Sequence, residues 1–205
     1  MNDLLPFLKT LISASGLSGR EGPIRELIAS AWEPLTDEIS TSRLGSLHGL
    51  KRGHGDEPRP AILLATHMDA IGFMVTGRTG EFLRVTGIGG LDARVLPGQL
   101  VTIHGREDLP GVLVQPPASH LPAEVQKGPV PLQYLLVDAG LTADQLHKRV
   151  RVGDLVSFAQ QPLELNGETL AGHSLDNRAS VAALTQCLQA LQGRNHPWDV
   201  WAVAT

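Results

Sequence analysis

Two residues of complementary chemistry stand at the end of one apolar run, where Ile62-Leu63-Leu64-Ala65-Thr66 passes directly into His67-Met68-Asp69. A neutral imidazole binds a divalent metal such as zinc, and a neighbouring carboxylate commonly holds the ring in the orientation that binding needs. Side chains alternate along extended backbone, so His67 and Asp69 point the same way and can meet one object. In open α/β sheets ligands collect outside the carboxyl ends of strands, which is where this His-x-Asp falls. A further acid, Asp176 in Leu175-Asp176-Asn177-Arg178, stands where a loop enters a helix whose apolar face is Val181, Leu184, Leu188 and Leu191. Taken singly, His-x-Asp reads as a locally hydrogen-bonded histidine and Asp176 as a plain helix cap. Taken together, they form a set in which Asp176 bridges two metal ions with its two oxygens while His67 holds one of them. Such a pair of ions activates a water and polarises a carbonyl, which is the logic of a hydrolase.

The elements that must position these residues follow from the apolar pattern. The run 62–66 predicts a buried parallel strand. Leu4, Leu5, Leu8, Leu11 and Ile12 recur at helical spacing after an Asn2/Asp3 cap signal, and a second helix is predicted from Pro23 through Trp32. Both are expected to cover a sheet. Residues 37–52 read as two short strands around Leu44-Gly45-Ser46. Beyond Asp69 the texture changes: strands at 73–76, 81–86, 99–104, 111–114 and 133–137, separated by Gly or Pro turns that include 105–110, predict a small barrel or sandwich. A Pro-rich loop runs over 116–130. A short helix over 142–148 with Thr142 as cap, a strand at 155–158 and a hairpin around Asn166-Gly167 precede the Asp176 helix. A final apolar strand covers 198–205.

Composition narrows the function classes. The 17 Lys and Arg against 21 Asp and Glu leave a formal charge of -4, too even for nucleic acid or an anionic membrane as the main partner. With 42% hydrophobic residues, the 205-residue chain can bury a real core. No apolar run approaches a membrane span and the N-terminus lacks the basic region of a signal peptide, so a cytoplasmic protein is expected. The single cysteine, Cys187, excludes an internal disulfide and reads as a packed residue. The basic cluster Lys148-Arg149-Val150-Arg151 reads as a solvated helix end. His48 and His54 read as surface residues, while His104, His120, His147, His173 and His196 show no ligand spacing.

Several motifs resemble one known family: Ser15-Gly16-Leu17-Ser18-Gly19-Arg20-Glu21, Arg43-Leu44-Gly45-Ser46, His67-Met68-Asp69-Ala70-Ile71-Gly72-Phe73-Met74-Val75, Leu96-Pro97-Gly98-Gln99, Pro116-Pro117 with His120-Leu121, Val152-Gly153-Asp154 and Leu175-Asp176-Asn177-Arg178. They are similar to those of the cocatalytic metallo-aminopeptidases that assemble tetrahedral shells, a family that includes glutamyl and deblocking aminopeptidases and members named endoglucanases. The resemblance implies an α/β fold, with a phosphorylase/hydrolase-like catalytic sheet, incomplete here, and an inserted small β-barrel dimerisation domain. Residues 1–70 and 163–205 would be catalytic domain and 71–162 the insert. It implies His67 and Asp176 as metal ligands, Asp69 as the catalytic carboxylate that orients His67, two divalent ions (zinc or cobalt) as cofactors, a peptide as substrate and a homo-oligomer built through the insert.

The chain also departs from the family pattern. Ala70 stands where the family usually has an acid, and Ser42-Arg43-Leu44-Gly45-Ser46 stands for its Asp-x-Leu-Gly-Asn. In the family, the strand corresponding to 200–205 leads into a Glu-Glu pair, the general base and the next metal ligand. Here that pair and the later Asp and His ligands are missing. The expectation is a truncated chain, inactive alone and not retaining its metals: a piece of a longer enzyme, a shortened reading frame or half of a split enzyme. A non-catalytic assembly or binding protein working through the β insert is the alternative. Glycan hydrolysis is a weaker one, since no two facing carboxylic acids announce themselves.

Overall fold

The computed structural model of the chain describes residues 4–205, so the Asn2/Asp3 cap signal lies outside the described residues. The chain divides into two compact units, Met1–Ala70 with Pro162–Thr205, and Ile71–Gln161.

The first unit is helices on a mixed sheet. Helices α1 (Leu4–Ser13) and α2 (Gly22–Trp32) are followed by strands β1 (Glu38–Thr41), β2 (Leu47–Lys51) and β3 (Ala61–Thr66). The chain returns to this unit in a hairpin, β10 (Leu163–Leu165) and β11 (Thr169–Ala171), then α4 (Leu175–Ala190) and β12 (Asp199–Ala204). The sheet order is β1-β2-β12-β3, with β12 and β3 parallel and the other neighbours antiparallel. Pro23 in its first turn suits α2, because the amide it lacks has no partner within a helix. Leu11, Ile24, Ile28, Trp32, Val181, Leu188 and Ala202 form the buried core. The Trp32 indole N–H donates to Thr185 Oγ1 at 2.8 Å, and that hydroxyl donates to Val181 O at 2.8 Å, so this polar edge inside the core is satisfied.

The run 62–66 is not the buried strand its composition predicts. It is parallel, but it lies at the sheet edge with β12 as its only strand partner among the described residues, and Ile62 and Leu63 are 44% and 63% exposed. Apolar composition records a preference for burial, and only a neighbour on the other side would satisfy it.

The second unit is a closed barrel, in keeping with the turn-rich β pattern. Strands β4 (Gly72–Thr79), β5 (Phe82–Ile88), β6 (Leu100–His104), β7 (Asp108–Val114), β8 (Leu136–Asp138) and β9 (Leu155–Phe158) close in the order β4-β5-β8-β7-β6-β9. Alternation decides what faces inward: Leu83, Leu113 and Val137 are buried, while their flanking residues lie on the outer face. Phe73 and Phe158 meet edge-to-face with centroids 5.4 Å apart. Helix α3 (Ala143–Arg149) begins with a capping box in which Thr142 and Gln145 satisfy each other's amides.

Two boundaries depart from the pattern. Strand β7 starts at Asp108 and runs through Pro110, because β8 pairs only with residues 112–114 and Pro110 therefore has a strand on one side only. The strand predicted over 133–137 is a 3-10 turn, Leu132–Tyr134, followed by β8; Pro131 starts that turn and accepts the Tyr134 N–H at 3.0 Å. Among the described residues no helix is long and apolar enough to cross a membrane.

One surface tie in the first unit is pH-dependent. Asp199 accepts the Gly53 N–H and the Arg59 Nε–H, each at 2.8 Å, and these bonds hold its carboxyl below the ordinary value of 3.8. The unfolded chain then takes up the proton first, so the stabilisation is complete above the ordinary value and is lost as pH falls through the lowered one. Urea midpoints of the native chain and Asp199→Asn are expected to differ at neutral pH and to converge in acid. A gap that stays constant into acid would contradict this role.

Candidate active site

The sheet delivers His67 just past the end of β3. Beyond the parallel β3–β12 ladder the Thr205 N–H donates to Thr66 O at 2.9 Å and the Met68 N–H donates to Thr205 O at 2.8 Å, so the 66–68 segment is fixed from one side. From the other side the segment after α1 runs alongside it: Ala70 N–H donates to Gly16 O at 2.8 Å and Leu17 bridges to Ala70 in parallel. Residue 16 must be glycine for this approach, since a Cβ there would come within 2.5 Å of Ile24 Cγ2.

Three predicted residues are brought together. His67 Nδ1 lies 2.8 Å from Asp69 Oδ1, and His67 Nε2 lies 3.1 Å from Asp176 Oδ1. The Ser18 hydroxyl donates to the other Asp69 oxygen, so both oxygens of that carboxylate are engaged. The Asp176 side chain is 95% exposed and that of His67 43%. Asp176 is not a helix cap: Asp176 and Asn177 have non-helical dihedrals within the first turn of α4, their peptide bond is cis, and the Asp176 carboxylate meets His67 rather than the helix amides. The chain enters this turn through Ser174, which is in the left-handed region at φ 61.

The tautomer carries the chemical point. When Nδ1–H donates to Asp69, the Nε2 lone pair faces a carboxylate oxygen of Asp176, so two acceptors confront each other. Such a pair is relieved by a second proton on the ring or by a cation that both atoms can bind. Neutral imidazole nitrogen and carboxylate oxygen are the donor types that a divalent metal takes.

Arg178 escaped the reading of the sequence except as part of a motif. It is fully buried. Its Nε donates to Met68 O at 2.9 Å, and its Nη1 donates to Leu11 O and Ala14 O, each at 2.6 Å. One side chain thus ties the residue between His67 and Asp69 to the end of α1, from a position two residues after Asp176. Its Nη2 has no partner. Burial pulls the guanidinium down to about 10, with the Asp69 charge acting in the opposite direction, so Arg178 stays charged at neutral pH. Its sequence signal was weak: an arginine in the first turn of an amphipathic helix ordinarily faces water.

Burial, and then the nearby Arg178 charge, push the His173 imidazole below its ordinary value, and its Nδ1 lies 2.8 Å from Ser174 Oγ. In the barrel unit, His104 Nδ1 lies 2.9 Å from Asp108 Oδ1 and His104 Nε2 lies 2.8 Å from Ser157 Oγ, a link across β7, β6 and β9. Ser157 lies 53 positions from His104 in sequence, and no motif joins the three. Among the described residues, no group of three or more His, Cys, Asp or Glu side chains is placed to hold a metal ion.

An α/β unit interrupted in sequence by a closed β barrel is an architecture shared with solved aminopeptidases. Residues 45–205 match the model of the M42 glutamyl aminopeptidases, and the chain belongs to that family. It is 29% identical over 206 residues to the lysyl aminopeptidase of Pyrococcus furiosus, a match covering 97% of this chain and 57% of that protein. Its fold is similar to the TET aminopeptidase of the marine sediment archaeon Thaumarchaeota archaeon SCGC AB-539-E09, with TM-score 0.89 and 28% identity over 98% of this chain and 57% of that one. It is also similar to the TET1 peptidase of Pyrococcus horikoshii, which assembles into a tetrahedron or a large octahedral shell, with TM-score 0.84 and 29% identity over 99% of this chain and 61% of that one. The chain therefore spans a little over half the length of these relatives.

Arg178→Met is expected to destabilise the first unit by about 2 kcal/mol, because three carbonyls lose a charged donor while the burial cost of the guanidinium is relieved. Urea unfolding measures the loss. The His67 ring proton resonances should shift in the same variant, and unchanged stability would remove Arg178 as the tie.

Proposed function

We propose that this chain supplies part of the active site of a metal-dependent aminopeptidase that removes N-terminal residues from peptides. The observation that carries the reading is the convergence of His67 Nε2 and Asp176 Oδ1 at 3.1 Å, with Asp69 on the other ring nitrogen. In this reading His67, through Nε2, and Asp176 would hold the metal, and Asp69 holds the ring. The donor types fit a zinc or cobalt site, but two donors fall short of the roughly four that zinc takes. A pair of divalent ions bound there would supply an activated water and polarise the peptide carbonyl.

The chain's own residues then have definite tasks. Asp69 keeps the Nδ1 proton in place, so that the lone pair of Nε2 stays available. Ser18 satisfies the second Asp69 oxygen, and Arg178 fixes the backbone between His67 and Asp69. With both Asp69 oxygens engaged by hydrogen-bond partners, this carboxylate is poorly suited to the general-acid role that glycan hydrolysis requires. Residues 1–70 and 163–205 belong to the catalytic domain in this account, and 71–162 form an insert that mediates self-association. Support for the insert's role comes from a barrel that closes on its own buried core. Shell assembly by the Pyrococcus horikoshii relative points the same way.

The test compares this chain alone with the same chain joined to the segment that its relatives carry beyond the aligned region. The chain alone is expected to show weak zinc binding and no hydrolysis of aminoacyl p-nitroanilides. The joined protein is expected to show chelator-sensitive hydrolysis, lost in His67→Ala and reduced roughly 10- to 100-fold in Asp69→Asn. Chelator-resistant cleavage, or an unimpaired His67→Ala enzyme, would overturn the reading. Self-association through the barrel predicts a mass above the monomer in sedimentation, and a strict monomer at high concentration would reject that role.

A further inference from the structure

The outer face of the barrel carries a second place where a ligand fits. Arg84, Leu136 and Val114 stand directly opposite one another in the ladders of β5, β8 and β7. They alternate with the buried Leu83, Val137 and Leu113, so they lie outside the barrel wall. Phe82, two residues before Arg84, shares this face. After β7 the chain turns through Pro116-Pro117 into a 3-10 turn, Ala118–His120, and this segment walls the same patch. The result is a cleft of about 580 Å3, within the range of small-ligand sites.

Its chemistry is one-sided. Phe82, Val114, Leu136 and the two prolines make an apolar floor and wall, and Arg84 and His120 are the basic groups that line it. Among the described residues no carboxylate lines the cleft. Asp138 lies on the same face, but it is outside the lining and its Oδ1 accepts the Gly140 N–H at 2.8 Å. Among the described residues, the Arg84 side chain makes no ion pair or hydrogen bond, and its stem passes over Gly77. His120 Nδ1 lies 3.1 Å from Ser119 Oγ, and the residue lines the cleft. An arginine over an apolar floor suits a planar anion on an apolar body, since the guanidinium forks onto a carboxylate and the floor takes the side chain.

We propose that this cleft binds the C-terminal residue of a peptide, with the carboxylate on Arg84 and an apolar side chain on Phe82, Val114 and Leu136. The absence of a lining acid selects among carboxylates. A free amino acid would bring an ammonium group next to Arg84 with no partner for it, whereas in a peptide the chain's ammonium lies further away. The site is built entirely within the barrel unit and does not depend on the peptidase reading of His67, Asp69 and Asp176.

The test needs no variant at first. N-acetyl-L-phenylalanine, its C-terminal amide and free L-phenylalanine are titrated into the 205-residue chain, with backbone amide shifts recorded by NMR. The acid is expected to bind saturably with shifts centred on Arg84, Gln115 and Leu136, and the amide and the free amino acid roughly tenfold more weakly. Added salt should weaken the acid and leave the amide unaffected. Arg84→Gln should bring the acid to the affinity of the amide without changing the amide, a pattern that a misfolded variant would not produce. Phe82→Ala should weaken both equally. Parity of acid and amide in the native chain, tighter binding of free phenylalanine, or shifts located elsewhere would overturn the proposal.

Discussion

The buried Arg178 guanidinium is the constraint around which the first unit is arranged. It reaches from the first turn of α4 to the backbone of Met68 and to the last carbonyls of α1, three pieces of chain that nothing in the sequence joins. Burying a charge is costly, and a protein recovers that cost only by giving the charge well-directed partners. The partners here are carbonyls at a helix end and in an irregular segment, where backbone groups commonly lack a partner within the element. Glycine at 16 belongs to the same constraint, since a Cβ would also lie 2.9 Å from Arg178 Nη2.

The candidate site follows from that arrangement. His67 and Asp69 sit on a segment fastened by β12 on one side and by residues 16–17 on the other, and Asp176 arrives in a non-helical turn that aims its carboxylate away from the helix amides. With the His67 proton on Nδ1, Nε2 and the Asp176 oxygen are two acceptors facing each other, an arrangement that a cation between them would favour, and proteins keep such local conflicts mainly where function uses them. The exposed apolar edge of β3 is a conflict of another kind: Ile62 and Leu63 present side chains, and the strand presents unpaired backbone, of the sort that another element normally covers.

The barrel solves its own burial problem. Closure pairs every strand with two neighbours and leaves the inward residues as a separate core, so its outer face is free to differ in chemistry from strand to strand. The Arg84 cleft exists because the Pro-rich segment after β7 folds along that face instead of leaving it. Proline at 116 and 117 favours extended backbone for that excursion, and His120 comes with it.

Periodicity and turn chemistry made much of the architecture legible from residue order alone. The two N-terminal helices, the Asn166-Gly167 hairpin, the Thr142-capped helix and the barrel strands all follow from local rules, because each is decided by residues within a few positions of one another. The pairing of His67 with Asp69 was legible for the same reason. The strand expected over 133–137 and the turn expected over 105–110 before the 111–114 strand are where local rules fall short, since proline acts through the neighbour it faces as much as through its own dihedral. What only the folded chain decided is long-range: that Asp176 reaches His67 across 109 positions with its carboxylate off the helix, that Arg178 turns inward, and that the apolar strand β3 has one strand neighbour among the described residues. Composition states what each residue prefers, whereas packing decides which preferences can be met together.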